Sequence, residues 1–165
     1  MIHCYFENGD SVSLRHVVVD VIIVKDDAVL LGKRGTYNGK PISEYGKWAL
    51  IGGYLDRDET FIQGAKREVL EETGWKVDNL RLFLFNDNPK REMEDKQNID
   101  IVFVADAVIQ TPGFTANEEV SELRWFNSKD LPTSSQIAFD HSGSLVRYFE
   151  SKSKNIVLPV LEYAT

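Results

Sequence analysis

Residues 60–74 constrain the fold most, because this segment has the start, the apolar face and the end of one helix. Thr60 and Gln63 have the spacing of a capping box, in which each side chain binds the backbone N–H of the other residue. Apolar residues then recur at helical spacing, at Ile62, Ala65 and Val69. Gly74 is the residue type that commonly ends a helix. We therefore predict a helix over about residues 60–73.

Strand patterns lie on both sides of this helix. Runs rich in β-branched and aromatic residues predict strands at His16–Lys25, Ala28–Leu31, Leu80–Phe85, Ile99–Ile109 and Glu122–Phe126. The first two form a predicted hairpin, Gly35–Tyr45 has the composition of a loop, and Gly143–Ser151 predicts a final helix. This mixture of strands and helices predicts an α+β fold, a mixed α/β/α sandwich. A length of 165 residues suits a single domain over residues 1–165.

The charge and apolar pattern narrow the class of partner. The chain has 19 Lys and Arg against 26 Asp and Glu, a formal net charge of −7, which argues against nucleic acid because phosphate contacts need clustered Lys and Arg. The longest apolar run, Val17–Val24, contains Asp20 and is far shorter than the roughly 20 residues of a membrane helix. Residues 1–10 lack the basic and apolar regions of a signal peptide. We therefore expect a cytoplasmic protein that spans no membrane.

The predicted helix carries three glutamates at i, i+3 and i+4: Glu68, Glu71 and Glu72. This spacing places their carboxylates in one arc, which we expect to lie opposite the apolar stripe. Like charges this close repel one another, and a hard divalent cation such as Mg²⁺, which prefers oxygen ligands, compensates them. A solvated acidic face is the alternative. The neighbouring Arg67, which can orient a carboxylate, and the missing side chain at Gly64 favour a metal site.

Residues 53–75 match every fixed position of the Nudix box, G-x5-E-x7-R-E-U-x-E-E-x-G-U, in which U is a bulky apolar residue. The matching residues are Gly53, Glu59, Arg67, Glu68, Val69, Glu71, Glu72, Gly74 and Trp75. The chain therefore resembles the Nudix hydrolases. One departure is Ile51, which stands where many members have proline before the two glycines. We expect this difference to alter the stiffness of the loop and to leave the chemistry unchanged.

The resemblance implies a mixed β-sheet between helices and hydrolysis of a nucleoside diphosphate linked to another moiety, with Mg²⁺ or Mn²⁺ as the cofactor. The metal-ligand positions of the family are occupied by Glu68, Glu71, Glu72 and, through its backbone carbonyl, Gly52. By the same resemblance Arg67 orients the carboxylates, Glu71 takes part in catalysis, and Glu59 supports the helix and the metals.

Nudix enzymes often draw one more glutamate from a loop outside the box, as a metal ligand or as the general base. Glu118 and Glu119 precede the last predicted strand in a suitable place, and we prefer Glu119 as the base. The alternatives are Glu118, a glutamate of the box helix, and a loop tip that is acidic without having a role.

Candidate substrate-binding residues also lie outside the box. Arg34, at the end of a predicted strand, is a candidate for a contact with a substrate phosphate, with a surface ion pair as the alternative. The candidates for stacking on a base or sugar are Tyr37, Tyr54 and Phe85, and an ordinary core or surface position is the alternative for each.

Two short segments, Asp87–Glu92 and Phe139–His141, resemble the ADP-ribose pyrophosphatase-like branch of the family. This likeness favours ADP-ribose or a related nucleotide sugar as the substrate and, because dimers are frequent in that branch, allows a homodimer. His141 belongs to the second of these segments, and a helix cap or an ordinary surface histidine is the alternative interpretation of this residue. A hydrolase of oxidised nucleoside triphosphates and a non-catalytic module that senses ADP-ribose are the other functions considered. RNA decapping is disfavoured by the acidic charge.

Overall fold

The computed structural model describes residues 2–91, 98–154 and 158–162 of the chain. Its strands are β1 (Ile2–Tyr5), β2 (Ser11–Leu14), β3 (His16–Lys25), β4 (Ala28–Arg34), β5 (Thr36–Tyr37), β6 (Lys40–Pro41), β7 (Trp48–Ala49), β8 (Ile51–Tyr54), β9 (Trp75–Asn86), β10 (Asn98–Gln110), β11 (Val120–Phe126) and β12 (Val160–Glu162). The helices are α1 (Phe61–Thr73), α2 (His141–Ser151) and a short 3-10 helix at Ser134–Gln136. Within the described residues, no helix is long and apolar enough to cross a membrane.

A mixed sheet forms the centre of the molecule. Its main path runs in the order β11-β4-β3-β10-β9-β12, with β7 added beside β4 and β8 beside β3. The pairs β3–β10 and β9–β12 are parallel, and the other pairs of this sheet are antiparallel. The short strands β7 and β8 precede α1 in the chain, and Gly52 and Gly53 of β8 lie against Glu72 and Glu68 of that helix.

The two helices cover opposite faces of the sheet. Side chains of β3 alternate between the faces, as the pleat of a strand requires. Val19 packs on one face with Ala65 and Val69 of α1, whereas Ile22 packs on the other face with Leu145 of α2. The α/β/α sandwich predicted from the sequence is therefore confirmed.

The predicted elements are present, and most of them extend further than predicted. β4 continues past Leu31 to Arg34, and α2 begins at His141 instead of Gly143. β9 begins at Trp75, well before the predicted start at Leu80. The reason is the helix cap at Gly74, whose φ of 68° turns the chain from α1 directly into β9.

Several short strands were not predicted from the sequence. Gly35–Tyr45, predicted as a loop, contains the hairpin β5–β6, whose two-residue strands are too short to show alternation. The hairpin β1–β2 near the start of the chain is largely exposed and so has no apolar face to reveal it. From residue 92 onward, the predicted charged loop Asp87–Lys96 lies outside the described residues.

The buried face of α1 differs from the predicted one. Ala65 and Val69 are fully buried, but Ile62 is 49% exposed, and Glu72 is only 8% exposed. Glu72 lies seven residues after Ala65, and two positions so spaced differ by only about 20° around a helix. The prediction that all three carboxylates lie opposite the apolar stripe was therefore wrong for Glu72, which lies beside it.

Candidate active site

A cavity of about 350 Å³ opens between the N-terminal part of α2 and the side of α1 that carries the glutamates. Its lining comes from β3, β4, β8, α1, the loop before β11 and the start of α2. Of the residues proposed from the sequence, the cavity is lined by Arg34, Gly52, Tyr54, Arg67, Glu68, Glu72 and Glu119. The fold thus brings together residues that are far apart in the chain.

The position of α1 is determined by its first turn and its end. The hydroxyl of Thr60 accepts the N–H of Gln63 at 3.3 Å, and the amide oxygen of Gln63 accepts the N–H of Thr60 at 2.8 Å. The predicted capping box is confirmed by these two bonds. At the other end, the N–H of Gly74 donates to the carbonyl of Leu70. A helix capped at both ends holds its carboxylates in fixed positions relative to the sheet.

Glu72 is the most buried of the three glutamates. Its Oε2 accepts the backbone N–H of Gly52 at 3.3 Å. Burial raises the pKa of the Glu72 carboxyl to about 8, and the nearby charge of Glu68 adds to this rise. Burial also raises the pKa of Glu68, although the hydrogen bond from Arg67 acts in the opposite direction. A cation near Glu68 and Glu72 would relieve both effects.

Arg67 organises the outer carboxylates. Its guanidinium donates to both oxygens of Glu59, at 3.0 and 2.7 Å, to Glu68 at 2.8 Å and to Glu71 at 3.2 Å. Gly64 makes room for this arrangement, because a Cβ at that position would lie 2.7 Å from Oε1 of Glu59. Among the described residues that line the cavity, Glu71 is absent, and its side chain is 56% exposed. The three carboxylates are therefore not equivalent: Glu68 and Glu72 face the cavity, whereas Glu71 faces solvent beside Arg67.

The two glycines of β8 allow the backbone to approach these carboxylates. A Cβ at Gly53 would lie 2.6 Å from Oε1 of Glu68, and a Cβ at Gly52 would lie 2.0 Å from the carbonyl oxygen of Val19. No side chain fits at either position without displacing its neighbours. The backbone of these glycines thus lies against the carboxylates of Glu68 and Glu72, and carboxylate oxygens are donors that suit Mg²⁺ or Mn²⁺.

Arg34 faces the glutamates from the other side of the cavity. Its Nε donates to the carbonyl of Ser43 at 2.7 Å, and its guanidinium lies 4.9 Å from the centre of the Phe139 ring. Burial lowers the pKa of Arg34, and the charges of Glu72 and Glu119, among others, oppose this decrease. The guanidinium is therefore held by contacts on its edge and its face, and it brings a positive charge to an acidic cavity.

The structure separates Glu118 from Glu119. The carboxylate of Glu118 accepts the N–H groups of Asn38 and Gly39, at 2.6 and 3.1 Å, and the hydroxyl of Thr36 at 3.2 Å, so it caps the turn between β5 and β6. Glu119 lines the cavity. Its carbonyl accepts the N–H of Gly35 at 2.8 Å, which ties the backbone of this residue to the end of β4.

The aromatic candidates have different positions. Tyr54 lines the cavity, is 63% exposed and meets the ring of His16 edge-on at 4.9 Å. Phe85 is half-buried and packs against the core cluster on the α1 face. Tyr37 is 58% exposed on β5. In the described part of the chain, neither Phe85 nor Tyr37 lines the cavity. The geometry therefore does not support the substrate-binding role predicted for Phe85, because its ring faces the core.

A buried polar cluster on the α2 side was not among the sites predicted from the sequence. Arg91 donates to both oxygens of Asp140, at 2.6 and 2.7 Å, and Asn86 donates to the same carboxylate at 2.7 Å. These bonds join the two segments whose resemblance to one branch of the family had been noted. The contact itself had no signal in the sequence, because it joins residues that are 49 positions apart.

The same cluster continues through Asp20 and His141, which line the cavity, and through Asp100; all three are buried. Burial and the neighbouring Asp20 raise the pKa of Asp100 well above its ordinary value. Burial alone would raise the pKa of Asp20, but the contact with His141 lowers it below its ordinary value. The sequence signals of this cluster were the two short segments described above, which contain Arg91, Asp140 and His141, and an acidic residue inside the apolar run Val17–Val24. His141 is neither a cap nor a surface residue: it is 5% exposed and lines the cavity.

Comparisons with known proteins agree with this geometry. A family model described as "NUDIX domain" matches residues 14–148. The chain is 32% identical over 137 residues to an "ADP-ribose pyrophosphatase" of Methanocaldococcus jannaschii, covering 83% of this chain and 75% of that protein. It is 35% identical over 117 residues to an "Oxidized purine nucleoside triphosphate hydrolase" of Mus musculus, covering 68% of this chain and 66% of that protein.

A crystal structure of a NUDIX hydrolase from Nitrosomonas europaea has the same fold. It superposes with a TM-score of 0.74 over 99% of this chain and 94% of that chain, at 24% sequence identity. The sandwich found here is therefore the arrangement seen in that hydrolase.

Proposed function

The chain belongs to the Nudix family of pyrophosphohydrolases, and from this premise we propose that it cleaves the diphosphate of ADP-ribose or a related nucleotide sugar. The observation that carries the proposal is the cavity that Gly52, Glu68 and Glu72 line together with Arg34 and Glu119. The products would be a nucleoside monophosphate and a sugar phosphate.

The residues of the box fit a divalent cation. Glu68 and Glu72 offer carboxylate oxygens beside the backbone of Gly52, whose carbonyl is the further ligand that the family resemblance implies. The raised pKa of Glu72 indicates a buried carboxylate without enough positive charge around it. Mg²⁺ or Mn²⁺ held here would neutralise the diphosphate and lower the pKa of an attacking water. Glu71 is less suited to be a metal ligand than Glu68 and Glu72, because Arg67 holds it on the solvent side.

The remaining residues of the cavity would each do one task. Arg34 binds a phosphate oxygen with its positive charge. Arg67 keeps Glu68 in place, since it donates to that carboxylate and to Glu59 together. Glu119 accepts a proton from the attacking water while the oxygen of that water forms a bond to phosphorus and the bridging P–O bond breaks. Glu118 is already used by the turn that it caps, which supports Glu119 as the base.

Two observations support a nucleotide sugar as the substrate. The relative named ADP-ribose pyrophosphatase is matched over three quarters of its length. In addition, Arg91 lines the cavity and is held by Asp140, so the two segments that resemble this branch of the family meet at the site. The cavity volume of about 350 Å³ lies within the usual size range of small-molecule pockets.

A nucleoside triphosphate is the second candidate substrate. The relative that supports it acts, by its name, on oxidised purine nucleoside triphosphates, and it is 35% identical to this chain. The same carboxylates and the same cation would serve both reactions, so the box does not distinguish them.

A substrate panel tests the proposal. We expect ADP-ribose or another nucleotide sugar to give the highest kcat/KM with Mg²⁺ or Mn²⁺, measured as release of a nucleoside monophosphate, against dGTP, 8-oxo-dGTP and diadenosine polyphosphates. The Glu72→Gln variant, purified in the same way, shows how much activity comes from contaminating enzymes. A nucleoside triphosphate with a kcat/KM at least tenfold higher would contradict the proposal that the substrate is a nucleotide sugar.

A further inference from the structure

Leu50 marks the point at which the chain changes its strand partner just before the site. β7 pairs with β4 through Ala49, and β8 pairs with β3 from Ile51 onward. Leu50 belongs to neither strand and is 4% exposed. A buried N–H needs an acceptor, and that of Leu50 donates to Nδ1 of His141 at 3.0 Å.

This hydrogen bond determines where the proton of the imidazole lies. A neutral imidazole carries a proton on only one nitrogen. Because Nδ1 of His141 accepts the N–H of Leu50, the proton is on Nε2, which lies 3.5 Å from Oδ2 of Asp20. The ring therefore receives one hydrogen bond from the backbone and directs its own N–H towards a buried carboxylate.

The same bond argues against a metal ion within this cluster. Ligand atoms of Asp20, Asp100 and His141 lie within 4.8 Å of one another, which is close enough for a metal site. A metal would require the lone pair of Nε2, and the proton would then move to Nδ1. There it would meet the N–H of Leu50, so that two donors would face each other. The cluster is better suited to holding the backbone.

Asp20 connects the imidazole to the glycines. It lies opposite Gly52 in the β3–β8 pairing, and a Cβ on Gly52 would come within 2.6 Å of Oδ1 of Asp20. The N–H of Gly52 donates in turn to Glu72. His141 thus holds this segment directly at Leu50, and the Asp20 carboxylate that its Nε2 faces packs closely against Gly52.

We propose that His141 is a positioning residue for the hydrolysis: in its Nε2–H form it holds residues 50–52 so that the backbone of Gly52 and the carboxylate of Glu72 keep the arrangement that a cation requires. The inference rests on the proposed function in one respect, the assignment of Gly52 and Glu72 to the cation. Partners that orient metal ligands in this way typically change metal affinity or activity by 10- to 100-fold when they are replaced.

The first test measures the wild-type protein and requires no substrate. Nitrogen-15 NMR of the imidazoles distinguishes a protonated from an unprotonated ring nitrogen. We expect His141 to have its proton on Nε2 and Nδ1 to be hydrogen-bonded to the Leu50 amide, whose proton should exchange slowly. A proton on Nδ1, in a neutral or a charged ring, would overturn the proposal, whatever the substrate is.

The second test compares variants on the substrate that the panel identifies as fastest. His141→Ala should lower kcat by roughly 10- to 100-fold and raise the Mg²⁺ concentration that gives half of the maximal rate, with KM for the nucleotide changed less. His141→Asn should recover most of the loss, because its amide oxygen replaces Nδ1 as the acceptor for Leu50. Ser144→Ala, a change at another buried polar residue of α2, is the matched control and should keep the wild-type rate.

The outcomes of these variants separate the two proposals. Equal losses in His141→Asn and His141→Ala, or a lower melting temperature with an unchanged kcat and Mg²⁺ requirement, would contradict the positioning role. If Glu72→Gln also left the Mg²⁺ requirement unchanged, the assignment of the cation to the box would fail instead, and the NMR result would stand.

Discussion

The two walls of the cavity are built in opposite ways. On the α1 wall, Arg67 binds carboxylates that lie at most eight positions away in the chain. On the α2 wall, His141 accepts a hydrogen bond from a residue 91 positions away, and Asp140 accepts one from a residue 49 positions away. The first wall is a local structure made by one helix and the residues just before it, whereas the second exists only after the sheet has formed.

The walls also differ in how their charges are balanced. Glu72 on the α1 wall is buried with a raised pKa, so this wall has an excess of negative charge that a cation can relieve. On the α2 wall, Asp140 is neutralised by Arg91 through two hydrogen bonds, although burial and Asp20 raise the pKa of Asp100 deeper in the same cluster. We therefore expect substitutions on the α1 wall to change activity more than stability, and substitutions of the paired charges on the α2 wall to change stability first.

The largest expected effect is that of Glu72→Gln. It removes a charge from the cation site, where a metal provides several kcal/mol of transition-state stabilisation, so kcat should fall roughly a thousandfold or more. The fold should persist. The pKa of Glu72 is raised to about 8 in the folded protein. Stability is therefore lost as the pH rises above the ordinary pKa of a glutamate, because the unfolded chain ionises this carboxyl more easily than the folded protein does. Glutamine does not ionise, so the variant does not lose this stability.

Steady-state kinetics and urea unfolding in EDTA measure the two sides of this prediction. Glu150→Gln, at an exposed glutamate of α2 that pairs with Lys154, is the control and should match the wild type in both measurements. A large loss of stability in Glu72→Gln with little loss of kcat would reverse the proposed contrast between the walls.

The next effect distinguishes two adjacent glutamates. Glu119→Gln should lower kcat by roughly a hundredfold or more, within the 10²- to 10⁴-fold range of general-base catalysis, with KM and the Mg²⁺ requirement nearly unchanged. Glu118→Gln should keep kcat near the wild-type value and slightly lower the melting temperature, because it weakens the cap of the β5–β6 turn. A loss of Mg²⁺ affinity in Glu119→Gln would make that residue a ligand.

On the α2 wall, Asp140→Asn should lower the free energy of unfolding by about 2 kcal/mol. The side chain of Arg91 is only 5% exposed, so its charge would lose its main partner, but the 38% exposure of Asp140 makes the loss smaller than for a fully buried pair. Urea unfolding measures the change, and KM should rise as well because Arg91 lines the cavity. Asp130→Asn, at an exposed aspartate, is the control and should change stability by less than about 0.5 kcal/mol.

The smallest effect is the pH dependence of that stability difference. Burial alone would raise the pKa of Asp140, but Arg91 lowers it below its ordinary value. The folded protein therefore binds this proton more weakly than the unfolded chain, and the stabilisation is complete above the ordinary pKa of about 3.9 and is lost as the pH falls further. The gap between wild type and Asp140→Asn should be constant near neutral pH and shrink below about pH 4. A gap that shrinks already at neutral pH would contradict this assignment.

The parts of the site that the sequence predicted are those with short-range causes. Thr60, Gln63 and Gly74 predicted the bounds of α1, since caps are interactions between residues a few positions apart. Glu119 was proposed from its place before a strand, and the structure separates it from Glu118, because Glu118 binds the neighbouring turn and Glu119 lines the cavity. His141 had no such signal, because a lone histidine does not reveal a backbone N–H that lies 91 positions away.

The sequence by itself determined that one helix, capped at Thr60 and Gly74, would carry three glutamates at neighbouring positions on its surface, because helix geometry and capping depend on neighbours in the chain. Only the tertiary structure decided which of these glutamates would be buried. Packing of α1 against the sheet turned Glu72 inward beside Ala65 and left Glu71 in solvent. It also decided what lies opposite them, because β3, β10 and α2 meet through sheet pairing and side-chain packing between distant segments, and no local pattern encodes such contacts.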